Sequence, residues 1–304
     1  SNMMAAAAIR QMKKLEFLQL GNLLPLHNPL RIAEEVAMID CMSEGRILPG
    51  FARGVPREYR VYDVPMAESR ARFDEALEII LKAWTQDVFS HEGKFWTFKD
   101  ISIWPRPYQQ PHPPIFIPFT GSKETIELAG RHNFSAVIPP GHPGVTHDIV
   151  GYYARQLAAH GHRITPNHMT LFTDAYVGES VAHVLKEYMP YYLYFVQTLW
   201  HHGSDQSNES LGKAGYVASS SFDYIRPENQ PFAQMDRSKI RLTNLSDVEA
   251  RIANGGLAFG SPKEVADRLI EKAEHMGANR LLLNLNLGAL PHDLFRSEEH
   301  TSEL

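Results

Sequence analysis

The strand-like run Leu15-Glu16-Phe17-Leu18-Gln19-Leu20, the segment Leu24-Pro25-Leu26-His27-Asn28-Pro29 and the strand-like run from Arg46 to Arg53 together decide the fold class. Asn28 suits a helix N-cap and Pro29 the first helical position, where its missing N–H costs nothing. Ile32, Ala33, Val36 and Ala37 then recur at helical spacing, and Gly45 is placed to end the helix. Strand, capped amphipathic helix and strand in that order make a parallel β/α unit.

The same alternation continues outward. The clearest helix runs from about Ala67 to Thr85, with Phe73, Ala76, Leu77, Ile80 and Trp84 on one face. Phe89 to Trp104 alternates as a β-hairpin does, and the prolines from Pro105 to Pro114 exclude a helix there. Ile115-Phe116-Ile117, Ala136-Val137-Ile138, Met169 to Val177 and Arg280 to Asn286 read as strands. Lys123 to Arg131, Asp148 to His160 and Ser180 to Trp200 read as helices. Ser261-Pro262-Lys263-Glu264 is a capping box, Val265, Ala266, Leu269 and Ala273 give the next helix its apolar face, and Gly277 stops it. From His201 to Leu242 the chain is polar and without firm periodicity, a long excursion of the kind that often serves as a lid.

The 304 residues carry 30 Lys+Arg against 35 Asp+Glu, a net charge of -5, and 43% are hydrophobic. That composition excludes a disordered chain, a collagen-like repeat and a disulfide scaffold. No basic stripe invites a nucleic acid, and no apolar run reaches the roughly 18 residues that span a bilayer. The single cysteine, Cys41, sits in an apolar helical pattern and is expected to be a buried, inert thiol of a cytoplasmic protein. The histidines lack the i, i+4 pairing of a common metal site, so no metal is expected.

In parallel β/α proteins ligands bind at the carboxyl ends of strands. Gly21-Asn22 follows the first strand and reads either as a tight turn or as a ligand contact. Arg53-Gly54 puts an arginine at the mouth of a short apolar strand, suited to a phosphate or carboxylate, or to an internal ion pair. Thr120-Gly121-Ser122 precedes a helix whose free amides can bind an anion, unless Ser122 is only a cap. Arg70 opposes the helix dipole at the start of the long amphipathic helix, which an external anion would explain; a solvated arginine would too. Asn284 and Asn286 close the last strand, where amides could meet a ligand or bond the backbone. Tyr59 could line a substrate pocket or simply pack.

Leu24 to Glu35, Ser43-Glu44-Gly45-Arg46, Ala52-Arg53-Gly54, Glu68 to Phe73, Trp104-Pro105-Arg106-Pro107 and Gly260-Ser261-Pro262 together resemble the bacterial luciferase-like flavin-dependent monooxygenases, over about Ala5 to Phe295. The resemblance implies an α/β fold, a (β/α)8 TIM barrel, that binds reduced FMN. It further implies activation of O2 as a flavin C4a-peroxide and oxidation of a small organic substrate, often an aldehyde, alkane, terpene or sulfonate. A flavin reductase as partner and a homo-oligomeric state are implied as well. By position, Arg53 with Gly54 and Arg70 match the contacts of the FMN phosphate, Thr120, Gly121 and Ser122 match the phosphate-binding turn, and Gly21 with Asn22 match the strand end beneath the isoalloxazine ring. An F420-dependent oxidoreductase of the same superfamily, or a non-catalytic flavin-binding protein, are the alternatives.

The resemblance also sets expectations for the ends. About six of the eight barrel strands are expected, in an incomplete domain over residues 1–295, because Ala5 to Lys14 reads as the back half of a helix. The family's catalytic histidine would precede residue 1, so the catalytic residues are not assigned. Ala52 stands where the luciferase subunit carries a reactive cysteine, so light emission is not implied. Residues 296–304 resemble a translated sequencing adapter and are expected to be an artefactual tail.

Overall fold

The computed structural model describes residues 2–139, 141–200, 212–216, 219–233, 244–253, 255–285, 290, 291 and 293. The chain falls into two compact units, Ser1–Pro118 with Leu211–Ala218 and Phe119–Ser210 with Ser219–Leu304.

The first unit begins with helix α1, Asn2–Ile9, earlier and shorter than the helix expected over Ala5 to Lys14. Strand β1, Phe17–Leu23, and strand β2, Ile47–Ala52, pair in parallel, and β2 pairs in parallel with β5, Phe116–Pro118. Helix α2, Pro29–Ser43, connects β1 to β2 and starts as the sequence dictates: Asn28 accepts the amide of Leu30 at 2.9 Å and Pro29 fills the first position. Its end comes one residue earlier than Gly45, with Glu44 itself left-handed at φ 56°. Gly50 is required by close approach, since a Cβ there would stand 2.6 Å from the Leu20 backbone.

Helix α3, Pro56–Val61, follows β2, and helix α4, Ser69–Thr85, buries Phe73, Ala76, Leu77, Ile80 and Trp84 as its spacing predicts. Trp84 donates to the Ala33 carbonyl at 3.1 Å and stacks on Phe51, which joins α4 to α2 and β2. The hairpin forms from β3, Phe89–Glu92, and β4, Thr97–Ile101. Glu75 on α4 accepts the amides of Lys94, Phe95 and Trp96 at its turn. Cys41 is half-buried rather than buried, and its thiol donates to the Arg106 carbonyl.

In the second unit, β7, Met169–Val177, is the central parallel strand. It pairs with β6, Ser135–Ile138, with β9, Arg280–Asn284, and with β8, Ala258–Gly260. The three residues of β8 follow two glycines and are too few to show alternation, so the sequence gives no sign of it. Helix α5 spans Lys123–His132 and α6 spans Pro143–Ala159. The helix expected over Ser180 to Trp200 is broken into α7, Val181–Glu187, and α8, Met189–Tyr194, followed by a π-turn, because Pro190 has no amide to donate. Tyr176, Tyr188, Tyr192 and Phe259 pack with Val184, Val248 and Ile252 into one apolar cluster. The Pro262–Met276 helix carries the foreseen capping box, with Glu264 accepting the Ser261 amide at 2.8 Å, and ends at Gly277 with φ 64°. Among the described residues no helix is long and apolar enough to cross a membrane. The segment 296–304 lies outside the described residues.

Candidate functional site

In the first unit the chain leaves β2 through Arg53 and Gly54, and Gly54 turns it with φ 90°, a conformation that glycine adopts without strain. The Arg53 guanidinium is held on one side. Its Nη1 donates to the Tyr216 carbonyl at 3.0 Å and, at 3.4 Å, to the hydroxyl of Ser69, the first residue of α4. The Tyr216 ring lies 4.5 Å from the guanidinium carbon, and its hydroxyl donates to the Gly54 carbonyl. Tyr59, buried on α3, donates its hydroxyl to the Arg53 carbonyl and meets the Tyr216 ring edge-on at 6.0 Å. Burial and the neighbouring Tyr216 push the Tyr59 phenol well above its ordinary pKa. Tyr59 thus braces the arginine turn from behind.

Arg70, one residue into α4, lies 3.8 Å from Asp74, so its charge meets an acid one turn along its own helix. Gly21 and Asn22 lie inside β1, which runs on to Leu23 with a bulge between Gln19 and Asn22, rather than after it. The Asn22 amide donates to Gln19 at 2.6 Å and to the Gly50 carbonyl at 3.3 Å, and both its N–H bonds go to the sheet. Sequence alternation does not mark a bulge, which is why the strand end is misplaced.

In the second unit Thr120, Gly121 and Ser122 form the turn into α5. Gly121 has φ 106°, and a Cβ there would stand 2.7 Å from a ring carbon of Phe222. Ser122 is the N-cap by position, yet its hydroxyl makes no cap bond; it donates to the Glu124 carboxylate at 2.6 Å. Ser221 donates to the same carboxylate at 3.1 Å, and Tyr224 donates to the Gly121 carbonyl at 2.8 Å. The chain therefore places one anion of its own in the first turn of α5, where amides and dipole favour negative charge.

Asp148 on α6 anchors the segment after Tyr224. It accepts from Arg226 Nε at 2.5 Å and from Asn229 at 2.7 Å. Burial alone would raise its pKa, but the bonds from Asn229 and Arg226 outweigh burial and hold it low. A half-buried carboxyl, Asp174 on β7, accepts from Asn284 at 2.9 Å and from Tyr192 at 3.0 Å. Here burial wins over those two donors and the pKa is raised. Asn284 thus bonds a side chain rather than the backbone, and Asn286 lies outside the described residues.

Sequence reasoning missed Tyr216, Glu124, Ser221, Phe222 and Tyr224. Four of them belong to the polar excursion, which has no period to flag them; residues 201–211, 217–218 and 234–242 of it lie outside the described residues. Among the described residues no group of three or more His, Cys, Asp or Glu is arranged to hold a metal.

The family model described as luciferase-like monooxygenase matches residues 1–280. The alkanal monooxygenase beta chain of Photorhabdus laumondii is 32% identical over 120 residues, 39% of this chain and 37% of that one. The oxygenase component of the flavin-dependent trigonelline monooxygenase of Acinetobacter baylyi is 32% identical over 123 residues, 40% of this chain and 34% of that one. The chain thus aligns with little more than a third of the length of these curated relatives. The oxygenating constituent of 3,6-diketocamphane monooxygenase from Pseudomonas putida, solved in complex with FMN, superposes with a TM-score of 0.70 at 18% identity, covering 99% of this chain and 83% of that one. At that identity the likeness is one of fold, and the parallel β/α units are those of a luciferase-like TIM barrel.

Proposed function

This chain belongs to the luciferase-like monooxygenase family, and from that premise we propose that it is the oxygenating part of a flavin-dependent monooxygenase that uses reduced FMN and O2 on a small organic substrate. The observation that carries the proposal is the Arg53 turn. Among the described residues the Nε and Nη2 donors of Arg53 meet no acceptor, while Nη1 is engaged by Tyr216 and Ser69. An unengaged guanidinium edge at the carboxyl end of a parallel strand has the donor chemistry for a phosphate monoester. The residues present therefore fit the phosphate end of FMN.

In this reading Arg53 donates two N–H bonds to the phosphate, Gly54 lets the backbone turn beside it, and Arg70 adds a second positive charge. Gly21 and Asn22 lie on the strand beneath the ring system; in the second unit, taken by itself, Thr120, Gly121 and Ser122 offer a hydroxyl and amides at the α5 N-terminus, which have anion-binding chemistry of their own. The bound reduced flavin supplies the electrons that activate O2, one oxygen atom entering the substrate and the other leaving as water. The protein's share is to hold the flavin, fix the substrate beside it and keep bulk water away. A flavin reductase would deliver the reduced cofactor, since the trigonelline enzyme that this chain resembles is named an oxygenase component.

Titration with FMN, followed by oxygen uptake in the presence of reduced FMN and candidate substrates, tests the proposal. Flavin binding with substrate-dependent oxygen uptake supports it. Hydride exchange with F420 and no oxygen uptake would instead assign a deazaflavin oxidoreductase, and flavin binding without turnover a non-catalytic flavoprotein.

A further inference from the structure

Arg53, Tyr216, Gly54 and Tyr59 form a closed set of contacts. Tyr216 reaches Arg53 twice, by its carbonyl on Nη1 at 3.0 Å and by its ring at 4.5 Å from the guanidinium carbon. The ring is itself fixed by the hydroxyl bond to the Gly54 carbonyl and the edge contact with Tyr59, whose own hydroxyl returns to the Arg53 carbonyl. An arginine side chain has four rotatable bonds and loses much rotamer entropy when it binds an anion. Here that ordering is done in the fold, before any ligand arrives. One edge of the guanidinium is spent on Tyr216 and Ser69, and the Nε–Nη2 edge, which matches a phosphate in two-point contact, meets no acceptor among the described residues.

We propose that Tyr216 is a positioning residue for phosphate recognition: it presents Arg53 to the phosphate of FMN and thereby makes the chain prefer FMN to riboflavin, which lacks that group. The inference rests on the reading of Arg53 as a phosphate contact. Preorganisation acts only through the group that Arg53 binds, so loss of Tyr216 should cost affinity for FMN and not for riboflavin.

The test is the ratio of dissociation constants for riboflavin and FMN, measured by flavin fluorescence on the full chain and on Tyr216→Leu, Tyr216→Phe and Arg53→Ala. Tyr216→Leu removes the ring from the guanidinium and should weaken FMN by about 3- to 30-fold, with riboflavin changed by less than about two-fold. Tyr216→Phe keeps the ring but drops the bond to Gly54, and should give a smaller loss that is again confined to FMN. In an Arg53→Ala background, Tyr216→Phe should do nothing further to FMN. Equal losses for both flavins in the Tyr216 variants, or no loss in either, would overturn the inference. Should Arg53→Ala leave the ratio unchanged, the phosphate reading of Arg53 itself falls; should Arg53→Ala collapse the ratio while both Tyr216 variants keep it, only the role of Tyr216 falls.

Discussion

Ser122 gives its hydroxyl to the Glu124 carboxylate at 2.6 Å instead of capping α5, so the first turn of this helix already holds a negative charge. A carboxylate there suits the helix dipole, but it opposes a phosphate at the same amides. If the turn binds a phosphate as proposed, the Glu124 carboxylate stabilises the helix and works against the ligand at once.

Replacing the charge should therefore separate the two effects. Glu124→Gln keeps an acceptor for Ser122 and Ser221 while removing the repulsion, and FMN should bind more tightly by about 0.5–1 kcal/mol, with the helix losing a similar amount of stability. Riboflavin should bind as before. Isothermal titration with both flavins, with urea unfolding alongside, checks this; weaker FMN binding would show that Glu124 does not face the phosphate.

Gly121→Ala meets two penalties at once, the positive φ of 106° and the 2.7 Å approach to Phe222, whereas Gly161, at φ 78°, has nothing within 4 Å of a built Cβ. Gly161→Ala should cost about 1 kcal/mol, the backbone strain alone. Gly121→Ala should cost about 2–4 kcal/mol as the Phe222 ring is pushed from its place. Urea midpoints of the two variants measure the difference, and equal costs would mean that Phe222 yields freely.

What the sequence made legible is local. The apolar face of α4 follows from Phe73, Ala76, Leu77, Ile80 and Trp84 repeating at 3.6-residue spacing, and the Ser261–Glu264 cap from its own four letters. The Arg53-Gly54 turn was readable because a glycine follows an apolar strand. Tyr216 and Phe222 were not, because they reach their partners from a segment distant in sequence whose polar composition carries no period. The bulge in β1 escapes because its pairing partner, not its local pattern, creates it, and β8 escapes because three residues are too few to alternate.

Glu75 holds the β3–β4 hairpin through three amides, those of Lys94, Phe95 and Trp96, and its Oε1 lies 3.4 Å from Nε2 of the buried His91. Glu75→Ala removes a charged acceptor shared by all three donors and should cost about 2–3 kcal/mol. The loss should be local: hydrogen exchange should speed up at Lys94, Phe95 and Trp96 and remain slow in α2. Uniform acceleration across the first unit would indicate instead that the hairpin anchors the whole unit.

The buried Asp148 and the half-buried Asp174 should give opposite pH dependences. Asp148 has a lowered folded pKa, so its bonds to Arg226 and Asn229 contribute stability in full above the ordinary carboxylate pKa, and that contribution is lost as pH falls through the lower folded value. Asp174 has a raised folded pKa because burial dominates, so the folded state binds its proton more readily than the unfolded one. Its contribution is therefore greatest below the ordinary value and declines as pH rises through the raised folded value. Stability measured by urea unfolding from about pH 3 to 7 should lose part of its acid-side slope in Asp148→Asn, and Asp174→Asn should remove a decline toward neutral pH. Arg226 bonds Asp148 directly, so Arg226→Leu should reduce the acid-side slope as Asp148→Asn does. An Asp148→Asn profile parallel to the parent across the acid range would mean that the carboxyl is not held low in the folded chain.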